Sequence, residues 1–292
     1  MIGNLKTAFK SLLDESSWMD AATKSIALEK VDVMREFVAY PDWITNQTAL
    51  ENYYAGLKVN VENHFQNIEN AIAFINKEEF KDLRRKTDRA KWLSHPSLVE
   101  AFYEAEYNSI TFPAGILQRP YFANGRIEAV NYGAIGTVIG HEITHGFDDQ
   151  GRQSDKDGNT IQWWTNETLK KYLRKAQCFI VEYSNQTVPS GTRLNGVNTE
   201  GENIADNGGL REAFRAYNYH VAANGQEARL PGLEQLTNEQ IFFLSYANVW
   251  CGAETKEGLE NQITSDPHSP GVFRANIPLR NCADFHHHFN CP

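Results

Sequence analysis

Positive charge is the scarcer sign in this 292-residue chain: Lys and Arg number 28 against 37 Asp and Glu, for a net charge of −9. The acidic excess is spread along the chain and no basic patch interrupts it, which argues against nucleic acid as a partner. Long apolar runs are lacking too. No stretch approaches the roughly 20 residues that a membrane-spanning helix requires, and no signal-peptide pattern opens the chain at Met1, so neither a span nor a leader is expected. Cysteine is sparse. The four residues Cys178, Cys251, Cys282 and Cys291 permit three pairings, with free thiols in a reducing compartment as the alternative. Internal repeats are absent. The one biased tract, His286-His287-His288, reads as a solvated tail.

The most informative stretch present is His141-Glu142-Ile143-Thr144-His145. On an α-helix, positions i and i+4 lie about 40° apart around the axis and roughly 6 Å apart along it. His141 and His145 can therefore aim two imidazoles at one metal ion, with Glu142 placed to take a proton from water. That combination belongs to zinc peptidases. The preceding run, Asn131 to Gly140, is apolar and rich in small residues. Histidine and glutamate buried there are costly unless paired or metal-bound. Asp148, just beyond the motif, is the candidate partner for one ligand imidazole.

Two histidines do not complete a tetrahedral site; a third protein ligand is needed, with water in the fourth position. The candidate lies in Gly201-Glu202-Asn203-Ile204-Ala205-Asp206-Asn207-Gly208-Gly209, ahead of Leu210, Phe214, Tyr217 and Val221 at helical spacing. Glu202 and Asp206 share one face of that helix. Glu202 is the candidate third ligand, and Asp206 the group that fixes a histidine tautomer. Gly208 and Gly209 weaken a helix intrinsically, so their expected use is close approach of two helices.

These two segments resemble the neprilysin family of zinc endopeptidases, which includes the endothelin-converting enzymes. Further stretches carry the same resemblance in the same order: Trp18 to Ala21, Tyr40 to Asp42, Ala101-Phe102-Tyr103, Phe112 to Gln118, Asn248 to Gly252 and His268 to Gly271. The long separation of His145 from Glu202 sets the chain apart from thermolysin-like and angiotensin-converting-type enzymes, whose third ligand lies much nearer the histidine pair. The resemblance implies one Zn2+ per chain and peptide substrates cut before a hydrophobic residue. It implies that His268 stabilises the oxyanion, with Asp266 positioning or charging it, and that Arg274 binds substrate carbonyls. Ala101 and Phe102 would pair with an extended peptide, and Ile116, Val138, Val249 and Trp250 would line the pocket after the scissile bond. Glu142, His268 and Asp206 are thus the catalytic candidates. One position departs. Glu100 stands where the family usually has asparagine, so the amide donor to the substrate backbone is lost and a negative charge is added.

The fold class expected is mainly α with a small β-hairpin, a zincin-type (thermolysin-like) catalytic domain plus part of a second helical domain. Residues 1–95 read as helices belonging to the family's substrate-gating domain. Asp20 is the N-cap of the second helix, Pro41 its end, and Thr45 to Thr48 a turn. Ile2, Leu5, Phe9, Leu12 and Leu13, and later Phe65, Ile68, Ile72 and Ile75, repeat at helical spacing. Residues 96–292 form the metallopeptidase domain, with a hairpin over residues 97–112 and a Thr237/Gln240 capping box further on. Asp155 to Asn159 lacks the glycine and glutamate that a calcium loop requires. The resemblance further implies that the family's N-terminal portion is missing here, along with disulfide partners for Cys178, Cys251 and Cys291. It also implies an extracellular or cell-surface setting, which the sequons at Asn46, Asn166 and Asn185 favour. The alternative reading, a peptide-binding relative with little or no turnover, rests on Glu100 and on the missing portion.

Overall fold

In the computed structural model, which describes residues 1–291, the chain opens with two helices. α1 (Ile2–Glu15) turns Leu5, Ala8, Phe9 and Leu13 inward, the spacing of a single apolar stripe. α2 (Ala21–Asp32) begins where the Asp20 carboxylate accepts the Thr23 backbone N–H, which satisfies one of the donors the first turn leaves free. The helix ends well before Pro41. The residues between become a strand, β1 (Arg35–Ala39), rather than helix. Its partner is distant in sequence, so no local pattern announced it. Asn46 accepts the Ala49 N–H and starts α3 (Gln47–Tyr54), so the turn expected through Thr48 is instead a helix cap. α4 (His64–Phe80) follows.

The expected hairpin is present as β2 (Phe102–Glu104) paired antiparallel with β3 (Ser109–Pro113). β1 adds to β3 in parallel, giving the order β1-β3-β2. The outer edge of β2 is therefore unpaired in the sheet. The rest of the chain is helical: α5 (Glu128–Asn131), α6 (Thr137–His145), α7 (Asn166–Ser184), α8 (Glu200–Asn224), α9 (Asn238–Val249), α10 (Lys256–Ser265), α11 (Gly271–Arg280) and α12 (Ala283–Phe289). The capping box of Thr237 and Gln240 heads α9 as the sequence predicts. A π-helical turn, Tyr132–Gly136, leads into α6.

Two glycines set the distance between α6 and α8. A Cβ on Gly140 would lie 2.8 Å from the Gly209 Cα, and one on Gly209 would lie 2.5 Å from the His141 nitrogen. Any larger residue would separate the helix bearing His141 from the helix bearing Glu202. Around this crossing one core gathers Leu5, Phe9, Ile110, Phe112, Ile143, Leu210, Phe214 and Phe242. Each such side chain contributes about 1.5–3 kcal/mol by leaving water.

α1 and α2 pack into the same core as α6 and α8, and β1 belongs to the sheet. Burying apolar area against the nearest complementary face outweighs sequence distance. α4 behaves differently. Its helical spacing is as expected, but Phe65, Ile68, Ile72 and Ile75 are exposed, Phe65 by 72%, and only Phe74 of that helix is buried.

Candidate active site

α6 and α8 bring His141, His145 and Glu202 together. One ligating atom from each lies within 4.8 Å of the others. His141 Nε2 stands 2.9 Å from His145 Nε2 and 3.2 Å from Glu202 Oε2, and His145 Nε2 stands 3.6 Å from Glu202 Oε1. Donors on a tetrahedron around zinc at its usual bond lengths sit about 3.3 Å apart, so the spacing fits.

The outer nitrogens are held from behind. His141 Nδ1 meets Asp206 Oδ1 at 2.9 Å, and His145 Nδ1 meets Asp148 Oδ2 at 2.6 Å. Those carboxylates fix the hydrogen on Nδ1 and leave the Nε2 lone pair for a metal. Two imidazole lone pairs and a carboxylate then face one point. Glu202 Oε2 is buried and makes no hydrogen bond. Such a convergence of electron pairs suits a cation. Burial opposes the charge on Glu202, yet His141, His145 and His268 hold its carboxyl far below the usual range. Burial likewise lowers the pKa of His145, but Asp148 and Glu202 outweigh it and raise it well above the ordinary value.

Glu142 is buried beside the pair, and no described residue hydrogen-bonds its carboxylate. Burial raises its pKa, tempered by the two imidazoles. A carboxylate with raised pKa is a better proton acceptor near neutrality. Glu142 lines a cleft of about 360 Å³ together with His141, Asp206, His268 and Arg274. Asp266 holds His268 Nδ1 at 2.7 Å, which directs Nε2 inward to 3.1 Å from Glu202 Oε2. Arg274 spends Nε and Nη2 on Asp206 and lies over the Trp250 ring at 4.1 Å. Nη1 makes no hydrogen bond among the described residues.

Ile116, Val138, Val249 and Trp250 all line the cleft, as do Glu100 and Ala101 at the approach to β2. Of the residues expected to bind substrate, Phe102 lies outside the lining, half-buried as the first residue of β2. His145, Glu202 and Asp148 do not line it either. Tyr121, Thr137, Tyr246 and Gln262 also line it. No sequence pattern marked them, because each sits on an ordinary apolar or polar helix or loop position.

The profile of peptidase family M13 matches residues 100–292, and its N-terminal profile matches residues 1–41. The chain belongs to peptidase family M13. Among M13 relatives, Neprilysin-11 of Caenorhabditis elegans is 46% identical over all of this chain, and human Neprilysin is 45% identical. The chain spans 35% and 39% of the length of those two proteins. The crystal structure of the Mycobacterium tuberculosis zinc metalloprotease Zmp1 with inhibitor superposes with a TM-score of 0.89 at 34% identity, covering all of this chain and 44% of that one. The cofactor of this M13 site is accordingly zinc, and the cluster accommodates one ion.

Proposed function

We propose that this chain carries the catalytic centre of a zinc metalloendopeptidase that hydrolyses oligopeptides on the amino side of hydrophobic residues. The observation that carries the reading is the convergence of His141, His145 and Glu202 with the unpartnered carboxylate of Glu142 alongside. His141, His145 and Glu202 hold the metal. Zinc, when bound, polarises the scissile carbonyl and makes water more acidic. Glu142 accepts the proton of the attacking water and passes it to the leaving amine. His268 Nε2, kept charged against burial chiefly by Glu202 and steadied through Nδ1 by Asp266, donates to the carbonyl oxygen as negative charge develops there. Arg274, anchored by Asp206, presents Nη1 to a substrate carbonyl. The free edge of β2, entered through Ala101 and Phe102, pairs with the extended peptide. The apolar wall of Ile116, Val138, Val249 and Trp250 receives the side chain that follows the cut.

Residues 96–292 are the catalytic portion in this reading, and the exposed face of α4 belongs to the gating portion. In this reading that face is where the part of the longer relatives that this chain does not span would pack. Exposed sequon asparagines at positions 46, 166 and 185 support an extracellular or cell-surface setting. No described helix is long and apolar enough to cross a membrane. The test is cleavage of quenched peptides that differ only in the residue after the scissile bond, with zinc content measured in parallel. Hydrolysis that favours Phe or Leu over Asp or Gly there is expected. Stoichiometric zinc with no cleavage of any peptide would leave a peptide-binding relative instead.

A further inference from the structure

Lys30 plays no part in the chemistry above, yet it is fully buried. Its Nζ donates to three backbone carbonyls: Gly146 at 2.7 Å, Gly151 at 2.8 Å and Ser154 at 2.6 Å. Those three bonds use every hydrogen of an ammonium group. The rings of Tyr103, Phe147 and Trp163 surround it at 5.8, 5.4 and 5.7 Å, within cation–π range.

The three carbonyls belong to the start, middle and end of the loop that leaves α6 directly after His145. That loop carries Asp148. While Asp148 Oδ2 holds His145 Nδ1, its Oδ1 accepts the backbone N–H groups of Gln150 at 2.9 Å and Gly151 at 2.7 Å. Gly151 is thus gripped twice, through its N–H by Asp148 and through its C=O by Lys30. The loop has no slack at that point, since a Cβ on Gly151 would lie 1.8 Å from the His145 carbonyl oxygen.

We propose that Lys30 is a positioning residue of the metal centre: by tying Gly146, Gly151 and Ser154 together it holds Asp148 where it orients His145. An apolar residue would fill the same space more cheaply, because burial pulls the Lys30 pKa down to about 7 while Asp148 and Asp155 pull it up. The charge is kept where three carbonyls must be brought to one point.

The inference rests on the zinc assignment, so wild-type zinc content is measured first. Lys30→Met then keeps the stem and removes the donors. We expect chelator-driven zinc release to quicken about 10- to 100-fold, the usual effect of losing a group behind a ligand. kcat should fall by a similar factor while KM stays within about twofold, since the cleft wall is untouched. Wild type without zinc overturns the metal reading and this inference with it. Zinc-bearing wild type, with a variant that melts lower but releases zinc and turns over unchanged, overturns this inference alone. Should Lys30→Met not fold, the wild-type protein is treated with acetic anhydride and mapped by peptide mass. Because coupling is reciprocal, the Lys30 amine should react at least about tenfold faster after zinc is removed. Equal protection with and without zinc sinks the proposal.

Discussion

Arg274 meets Asp206 fork to fork, Nε to Oδ2 at 2.8 Å and Nη2 to Oδ1 at 2.7 Å. The Oδ1 atom that takes Nη2 is the one that holds His141 Nδ1. One carboxylate therefore fixes both the His141 imidazole and the Arg274 guanidinium, the group proposed to meet substrate. Burial opposes the Asp206 charge, but Arg274 and His141 keep its pKa below the ordinary value. We expect Asp206→Asn to weaken zinc binding by about 10- to 100-fold. It should also raise KM, because Arg274 loses a buried counter-charge and its fixed direction. Competition with a chromophoric chelator and steady-state kinetics measure the two effects. A change in KM alone would assign Asp206 to Arg274 only.

Glu142 and Glu202 are separable. Glu142→Gln should retain stoichiometric zinc and lose about 10²- to 10⁴-fold in kcat, since an amide cannot accept the water's proton. Glu202→Gln should lose zinc first, with activity following metal content. Atomic absorption on both purified variants, set beside their turnover, decides. Zinc loss from Glu142→Gln would make that residue a ligand or a structural group.

Glu100 lines the cleft beside Ala101. Glu100→Asn restores a donor to the approach to β2 and removes a charge. KM should fall by a few-fold for neutral and acidic peptides, about 1 kcal/mol for one net hydrogen bond, with kcat changing less. A peptide series of varied charge at constant cleavage site provides the check. Identical kinetics throughout would show that Glu100 points away from bound peptide.

Behind the metal helix, Glu212 is almost fully buried, with Oε1 2.6 Å from Thr144 Oγ1 and Oε2 without a partner. Thr144 Oγ1 also lies 2.8 Å from the Gly140 carbonyl. Its single hydrogen serves one acceptor, and a protonated Glu212 supplies the other bond. Burial accordingly pushes the Glu212 pKa up to about 8, against Thr144 and Arg211, which lower it. Unfolded, the group ionises near 4.5. Between those values the unfolded chain binds fewer protons, so this group's contribution falls as pH rises from 4.5 to 8 and is flat above. The full span is on the order of 5 kcal/mol. Glu212→Gln keeps the hydrogen bond and cannot ionise. Its melting temperature should decline less than that of wild type from pH 5 to 8, by calorimetry on zinc-loaded protein. Parallel curves would place the titration elsewhere.

The chain's local chemistry was legible in its own letters. Two histidines one helical turn apart, a neighbouring glutamate, and a second helix with carboxylates four apart point to a zinc site because helical geometry sets the directions within each helix. That the two helices meet depends on the contact of Gly140 with Gly209. Asp20, Thr237 and Gln240 cap their helices as read, since a cap involves residues within a turn of one another. Tertiary structure decided what depends on groups far apart in the chain. β1 pairs with β3 across some seventy residues, for example Arg35 with Ser109, and a parallel neighbour leaves no turn signal between the two strands. Nothing in the sequence singles out Lys30, which three carbonyls and three rings enclose. Glu212 reads as solvated until the contact of Gly140 with Gly209 brings it against Thr144. Side-chain direction within one helix follows from backbone geometry; which of those side chains loses its water follows only from what the rest of the chain packs against it.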